Sequence, residues 1–145
     1  MEIVFFGTPD FAAQVLTYLL EEHVKVVAVV TQPDRPKGRA LQLTASAVKS
    51  CVLNHGLNIP ILQPEKSSDP SFLKKLSEMQ ADLYVVVAFG QILPQSLLDI
   101  PPKGCINIHS RSSLFLCFSL QLVLLHLQQL LRTGCLRKIS TNPLR

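Results

Sequence analysis

The residues with the clearest chemical potential are Asn107 and His109, in the segment Gly104-Cys-Ile-Asn-Ile-His109. Residues two apart in a β-strand face the same way, so these side chains are expected to project together, about 7 Å apart along the strand. A histidine can transfer a proton near neutral pH, and an asparagine amide can donate a hydrogen bond to a developing oxyanion. Spacing alone fits equally well an edge strand whose polar groups face water.

A second group of candidates lies in the segment Thr31-Gln-Pro-Asp-Arg-Pro-Lys-Gly-Arg39, where Arg35, Lys37 and Arg39 are interleaved with prolines and a glycine. Three cations on a stiffened surface loop could grip phosphate, and such contacts position a nucleic acid without reading its sequence. A loop whose charges are merely solvated explains the same pattern. From the residues alone, the solvated loop is the favoured interpretation.

A weaker signal is Gly7, in the turn Gly7-Thr-Pro-Asp-Phe11 that follows the first apolar run. A glycine between a strand and a helix lets the backbone approach a ligand, and the helix N-terminus offers free N–H groups. A tight turn with Pro9 at the first helical position explains these residues equally well.

The elements that must position these candidates are short apolar runs that alternate with amphipathic stretches. The pattern predicts strands at 3–6, 24–30, 59–62, 82–88 and 105–109, helices at about 9–22, 44–55 and 69–79, and a polar loop at 31–43. Continuously apolar strands are buried on both faces and belong to a parallel sheet covered by helices. We therefore expect a doubly wound, mostly parallel, Rossmann-like α/β sheet with helices on both faces, which binds ligands at the carboxyl ends of its strands.

The charge of the chain is divided between two regions. The net charge is +4, but residues 1–109 hold 9 Lys and Arg against 10 Asp and Glu, a net of −1, whereas residues 110–145 hold 5 Lys and Arg and no acid, a net of +5. The whole-chain charge therefore says little about partners. No secretion signal is recognisable, and four cysteines without a CxxC pair are expected to be buried reduced thiols, so we expect a cytoplasmic protein without a metal site.

The leucine-rich basic segment 110–145 differs in character from the rest of the chain. A membrane helix over 114–131 is possible by length, although several polar residues weaken that interpretation. A second interpretation is a final packing helix. The third, which is favoured, is a segment with which this domain did not evolve, such as the product of a shifted reading frame. We therefore predict a partial domain at 1–109 and an atypical tail at 110–145.

Four segments together resemble the methionyl-tRNA formyltransferase family in order and spacing. They are Phe6-Gly-Thr-Pro-Asp-Phe-Ala12, Thr31-Gln-Pro-Asp-Arg-Pro-Lys-Gly-Arg39, Val85-Val-Val-Ala-Phe-Gly-Gln-Ile-Leu-Pro94 and Gly104-Cys-Ile-Asn-Ile-His109. The reaction of that family moves a formyl group from 10-formyltetrahydrofolate to the amino group of methionyl initiator tRNA. Other folate-dependent formyltransferases share the Asn-x-His element but lack the Thr-Gln-Pro-Asp-Arg-Pro loop.

The resemblance assigns roles to residues in three of these segments. It implies that His109 handles the amine proton and that Asn107 helps to hold the tetrahedral oxyanion. It also implies that the loop with Arg35, Lys37 and Arg39 reaches toward the tRNA acceptor end, which overturns the interpretation as a solvated loop. The folate pocket would be bordered, mainly through backbone groups, by Phe89, Gly90, Gln91, Ile92 and Leu93.

The chain departs from the family after His109. The family continues with a Ser-Leu-Leu-Pro turn, an Arg-Gly-Ala-Ala-Pro segment and an Asp that orients the catalytic His, whereas here the residues are Ser110-Arg-Ser-Ser-Leu-Phe115 and no acid follows Asp99. We expect a sheet that is incomplete at its C-terminal side, without the tRNA-binding barrel. Without the Asp that orients the catalytic His, general acid–base catalysis is expected to be lost, and such catalysis is worth roughly 10²–10⁴ in rate. The chain is therefore expected to be inactive or nearly so.

Three alternatives stay open beside this formyltransferase hypothesis. The chain could be a non-catalytic fragment that binds folate or a partner, another folate-dependent formyltransferase, or a remnant tethered to a membrane through 114–131. A sheet that stops early also exposes an unpaired strand edge, so we expect possible self-association through that edge.

Overall fold

A computed structural model of the chain describes residues 1–108 together with Leu125 and Gln129. The elements are β1 (Glu2–Gly7), α1 (Asp10–Glu21), β2 (Lys25–Val30), β3 (Arg35–Lys37), β4 (Gln42–Thr44), α2 (Ala47–Asn54), β5 (Ile61–Leu62), α3 (Pro70–Glu78), β6 (Leu83–Val87), α4 (Gln95–Leu98) and β7 (Cys105–Ile108). His109 and nearly all of the predicted tail lie outside the described residues, so the predicted boundary at residue 109 stays a prediction.

Five of the strands form one parallel sheet in the order β5-β2-β1-β6-β7. From β1 the chain proceeds through β2 to β5 on one side, then crosses back to β6 and β7 on the other. The strand order therefore reverses between β1 and β6, and open α/β sheets bind ligands outside the carboxyl ends of the strands at such a point.

Helices cover both faces of the sheet, so the predicted doubly wound α/β fold is confirmed. On one face α1 and α2 bury residues such as Val15, Leu19 and Val48 against the strands. On the other face α3 and α4 bury Phe72, Leu76 and Leu97. Since the strands are apolar on both sides, each face of the sheet contributes to a separate hydrophobic core.

The segment predicted to be a polar loop contains a β-hairpin, so that part of the prediction is wrong. β3 pairs antiparallel with β4, which places Arg35 opposite Thr44 and Lys37 opposite Gln42. β3 is built from two cations and a proline, and both strands have three residues, too few to show the apolar alternation by which strands are recognised in a sequence.

The helix predicted from residue 44 begins three residues later. Thr44 is paired with Arg35 in the hairpin, and α2 starts at Ala47. Ser46 caps it, because its hydroxyl accepts a hydrogen bond from the backbone N–H of Lys49 at 3.1 Å. The short helix α4 was not predicted, because four residues are too few to show helical periodicity.

Two further findings concern only the part of the chain that the structure describes. There, no helix has both the length and the apolar character needed to cross a membrane. Nor does that part bring together three or more His, Cys, Asp or Glu side chains that could hold a metal ion.

Candidate functional site at the carboxyl edge of the sheet

The loop that follows β6, residues 88–93, lies where the strand order reverses and is called the β6 loop here. It leaves the strand in a left-handed backbone conformation, with φ of 46° at Ala88 and 89° at Gly90. For a residue with a Cβ this conformation costs about 1–2 kcal/mol. Such strain persists only where the surrounding structure holds it, and it is frequent at functional sites.

Phe89 anchors the β6 loop to the core. Its ring is buried and meets Phe6 edge-on, with the ring centroids 5.5 Å apart. Its carbonyl oxygen accepts two hydrogen bonds, from Thr8 Oγ1 at 2.8 Å and from Gln32 Nε2 at 3.2 Å. The structure therefore places this predicted pocket residue beneath the loop, where it ties the turns after β1 and β2 to the end of β6.

The side chain of Gln91 is fully engaged within the protein. Its Nε2 donates to Gln32 Oε1 at 3.2 Å and to the Pro64 carbonyl at 3.1 Å, and its Oε1 accepts from the Ser67 N–H at 2.8 Å. The Ser67 hydroxyl in turn donates to the Ile92 carbonyl at 2.6 Å. Within residues 1–108, the backbone N–H of Gln91 has no acceptor and is left for a ligand.

The β6 loop presents a row of free backbone donors. Within residues 1–108, the N–H groups of Gly90, Gln91 and Ile92 have no hydrogen-bond acceptor. The Ile92 side chain is 87% exposed, whereas Leu93 packs against the core. A row of donors beside an exposed apolar side chain suits a flat heteroaromatic ring with polar atoms along one edge.

Asn107 lies on β7, the strand adjacent to β6. It pairs with Val86, and its side chain is exposed. Ile106 and Ile108 pack on the face covered by α1 and α2, so strand alternation directs Asn107 to the opposite face. His109 lies outside the described residues, and the predicted pairing of the two side chains stays a prediction.

Cys105 shares the face of Asn107 but is unsuited to act as a nucleophile. Its thiol donates weakly to the Leu98 carbonyl, at 3.7 Å. Burial, with a contribution from Asp99, raises the pKa of the Cys105 thiol to about 12. Since the thiolate is the reactive form, this thiol stays protonated and inert at neutral pH.

The hairpin of β3 and β4, residues 35–44, is called the cationic hairpin here. Arg35, Lys37 and Arg39 are all exposed, and none of them has an ion-pair partner among the residues that the structure describes. Two leucines, Leu41 and Leu43, are 72% and 73% exposed beside them. The hairpin therefore offers unpaired positive charge next to apolar surface.

The root of the cationic hairpin is fixed by Asp34. Its carboxylate accepts from Lys49 Nζ and from Gln63 Nε2, both at 2.7 Å. The hydrogen bond from Lys49 is the main cause that lowers the pKa of Asp34 below its ordinary value. The hairpin that carries Arg35, Lys37 and Arg39 is therefore held in place at Asp34, its root.

Gly7 is required by close packing. A Cβ at this position would lie 2.6 Å from the Cβ of Ala12 and 3.0 Å from the Val87 carbonyl oxygen. The helix begins at Asp10, and Pro9 is its N-cap residue rather than its first helical residue, which corrects the predicted turn. The glycine lets β1, β6 and α1 approach each other at the point where the β6 loop begins.

Comparison with known proteins is decisive at this point, because the profile of the family described as "Formyl transferase" matches residues 1–119. The chain belongs to the formyl transferase family. Over 110 residues it is 56% identical to a methionyl-tRNA formyltransferase of Geobacter metallireducens and 54% identical to one of Chlamydia abortus. These matches cover 76% of this chain but 35% and 34% of the relatives, so the chain spans about a third of their length.

Solved structures share the fold of this formyl transferase chain. Glycinamide ribonucleotide transformylase 1 from Geobacillus kaustophilus has a TM-score of 0.53 at 16% identity, with 74% of this chain and 57% of that chain covered. Phosphoribosylglycinamide formyltransferase from Streptococcus pneumoniae has a TM-score of 0.51 at 17% identity, with coverages of 74% and 56%. At these identities the likeness concerns the fold.

Sequence reasoning missed several residues that build the site of this formyl transferase. Thr8 and Gln32 hold the Phe89 carbonyl, and Ser67 holds both Gln91 and Ile92. Gln32 belongs to a segment singled out for its cations, but nothing in the sequence pairs it with a residue 57 positions away.

Proposed function

We propose that the chain binds 10-formyltetrahydrofolate beside the β6 loop, at the carboxyl edge of the sheet, as the donor-binding part of a methionyl-tRNA formyltransferase. The observation that carries this proposal is the row of free N–H groups on the β6 loop, at the reversal of strand order in a formyl transferase chain. In this proposal Gly90, Gln91 and Ile92 donate to the polar edge of the folate ring, Ile92 covers its face, and Phe89 and Leu93 support the loop.

The proposed reaction places Asn107 and His109 beside the formyl carbon. The methionyl amine nitrogen forms a bond to that carbon, and the bond from the carbon to the folate nitrogen breaks. Asn107 donates a hydrogen bond to the oxygen that becomes negative, and His109 carries the amine proton to the folate nitrogen. In this proposal Asn107 supplies charge stabilisation and His109 supplies proton transfer.

The proposed acceptor is methionyl initiator tRNA, and the relatives from Geobacter metallireducens and Chlamydia abortus are named methionyl-tRNA formyltransferases. In this proposal the phosphates of the tRNA are contacted by Arg35, Lys37 and Arg39 on the cationic hairpin. These cations are suited to such contacts because they are exposed, have no ion-pair partner among the described residues and extend from a fixed root. In this proposal the activity is cytoplasmic, since its acceptor is a substrate of translation initiation.

We propose that a polypeptide of these 145 residues binds the donor but turns over slowly. No acid follows Asp99, so the 145 residues contain no carboxylate beyond the histidine that could orient it. Catalytic residues that act as a unit lose most of their effect when one member is absent. In a single-turnover assay with methionyl initiator tRNA, formylation at the rate of a full-length enzyme would contradict this proposal.

Donor binding is tested by titration calorimetry with 10-formyltetrahydrofolate. We expect saturable binding that is weakened roughly tenfold or more by Ile92→Asp, because burying an isoleucine side chain contributes about 1.5–3 kcal/mol. Leu53→Asp is the matched control, since Leu53 is also exposed but lies on α2. Absence of binding by the unsubstituted chain, or equal loss in both variants, would overturn the proposed site.

A further inference from the structure

The β6 loop is tied to the turn after β2 by two side-chain amides, Gln32 and Gln91, called the amide pair here. The Phe89 carbonyl can only accept, so Gln32 must turn Nε2 toward it and Oε1 toward Gln91. Gln91 must then present Nε2 to Gln32, and the same nitrogen reaches the Pro64 carbonyl. Its Oε1 is left facing the Ser67 N–H, which can only donate.

Backbone groups therefore fix the orientation of both amides. If either amide turned over, an oxygen would face an oxygen at one end and a nitrogen would face a nitrogen or lose its acceptor at the other. The far end of the amide pair is also held, since the Gln32 carbonyl accepts from Gln63 Nε2 at 3.1 Å. A hydrogen-bond network is rigid when only one arrangement pairs all of its donors and acceptors, and leaving one of them unpaired costs free energy.

The amide pair lies directly against the strained part of the β6 loop. A Cβ on Gly90 would come within 3.1 Å of Gln32 Nε2, so the absence of a side chain lets the amide pass beside the loop backbone. Ala88, two residues earlier, holds φ at 46°. The hydrogen bonds of the Phe89 carbonyl and of the Gln91 side chain lie on either side of Gly90 and can keep this unfavourable backbone conformation in place.

We propose that Gln32 and Gln91 are positioning residues, which hold the N–H groups of Gly90 and Ile92 in the arrangement that the formyl donor requires, and that neither side chain touches the donor. The identity of the ligand rests on the proposed function. The amide pair itself is a property of the protein without ligand, so the two can be tested separately.

Gln91→Glu perturbs only the donating half of Gln91. The new carboxylate still accepts from the Ser67 N–H, but its second oxygen faces two acceptors, the Pro64 carbonyl and Gln32 Oε1. Repulsion releases the loop and raises the pKa of the new carboxyl group, since only its protonated form can donate. The folded state therefore favours the protonated form, and the stability that protonation contributes is present at low pH and lost as pH rises through the raised pKa.

The first measurement needs no ligand. In Gln91→Glu, the amide nitrogen shifts of Gly90 and Ile92 are expected to titrate together, with a pKa above that of an exposed glutamate. Gln14→Glu introduces the same charge on the exposed side of α1 and is expected to leave these shifts unchanged. Loop amides in Gln91→Glu that do not titrate would overturn the positioning role.

The second measurement is titration calorimetry with tetrahydrofolate at pH 7.5 and pH 5.5. We expect Gln91→Glu to bind about tenfold more weakly than the unsubstituted chain at pH 7.5, which corresponds to about 1.4 kcal/mol. At pH 5.5 the difference is expected to shrink to threefold or less, because protonation restores one donor. Should Gln91→Glu fold poorly, Gln32→Glu serves instead, since its carboxylate repels the Phe89 carbonyl and is relieved by acid in the same way.

The outcomes separate the inference from the proposed function. Loop amides that titrate in a protein that binds no tetrahydrofolate would support the amide pair and overturn the proposed function. Unchanged affinity of Gln91→Glu at pH 7.5, in a protein that binds tetrahydrofolate, would overturn the inference alone. Lost affinity without titration of the loop amides would show that Gln91 is a direct ligand and would also overturn it.

Discussion

Tyr84 provides a test of the packing on the face of the sheet covered by α3 and α4. Its hydroxyl is buried, and within residues 1–108 it has no hydrogen-bond partner. Its ring packs on Phe6 with the centroids 5.3 Å apart. Burial is the main cause that raises the pKa of Tyr84, so the hydroxyl stays neutral.

Tyr84→Phe keeps this ring and removes the unpaired hydroxyl. A buried polar group without a partner costs about 1–3 kcal/mol. We take the lower end, because a hydroxyl can rotate toward weak acceptors, and expect the free energy of unfolding to rise by about 1 kcal/mol. For a domain of about 100 residues this corresponds to an increase in Tm of roughly 4–8 °C.

Urea unfolding followed by circular dichroism measures this change, with Tyr18→Phe as the matched control. Tyr18 is partly exposed, and its hydroxyl is hydrogen-bonded to Glu22, so the same chemical change should not raise the free energy of unfolding. If Tyr84→Phe lowered stability while Tyr18→Phe did not, the Tyr84 hydroxyl would have a partner and the reasoning would be wrong.

Three further predictions concern the packing around Gly7 and the cationic hairpin. Gly7→Ala should destabilise the chain by about 1–3 kcal/mol in urea unfolding, because the new Cβ meets the backbone of Val87 and the helix α1, which cannot move aside; an unchanged midpoint would refute this. Asp34 has a lowered pKa in the folded state, so its carboxylate stabilises the hairpin root above its ordinary pKa of about 4, and this stabilisation is lost as pH falls through the folded value. Hydrogen exchange of the hairpin amides should show that loss on acidification, and Asp34→Asn should abolish the pH dependence; equal pH profiles would contradict the assignment. Lys37→Gln should reduce by about one the slope of the logarithm of the tRNA binding constant against the logarithm of the salt concentration. Lys74→Gln on α3 should leave this slope unchanged, and equal slopes for the two variants would argue against a phosphate contact at the hairpin.

The sequence predicts the sheet well because its strands are continuous apolar runs. The predicted limits of β2 and β6 agree with the structure to within about one residue at each end, since five consecutive apolar residues leave little freedom in the position of a strand. The hairpin was missed for the opposite reason. Its strands of cations, proline and glutamine are held by pairing and by the Asp34 root, which only the folded chain brings together.

The site was predictable as a location but not as an arrangement. The carboxyl ends of the strands follow from the pattern of elements, and the resemblance directs attention to the β6 loop, whereas the reversal of strand order is seen only in the structure. Which of its groups are free depends on contacts between distant turns, such as Gln91 with Pro64 and Ser67, 27 and 24 residues away. The resemblance implies contacts mainly through backbone groups, but only the structure shows that the Gln91 side chain is engaged by the protein.

The most direct test of the proposed donor site is the change in backbone amide shifts as 10-formyltetrahydrofolate is added to the chain. We predict saturable shifts of the Gly90, Gln91 and Ile92 amides, with a smaller shift at Asn107 and none at Leu53 on α2. Saturable shifts centred elsewhere on the sheet, or an unchanged β6 loop at saturating ligand, would contradict the account.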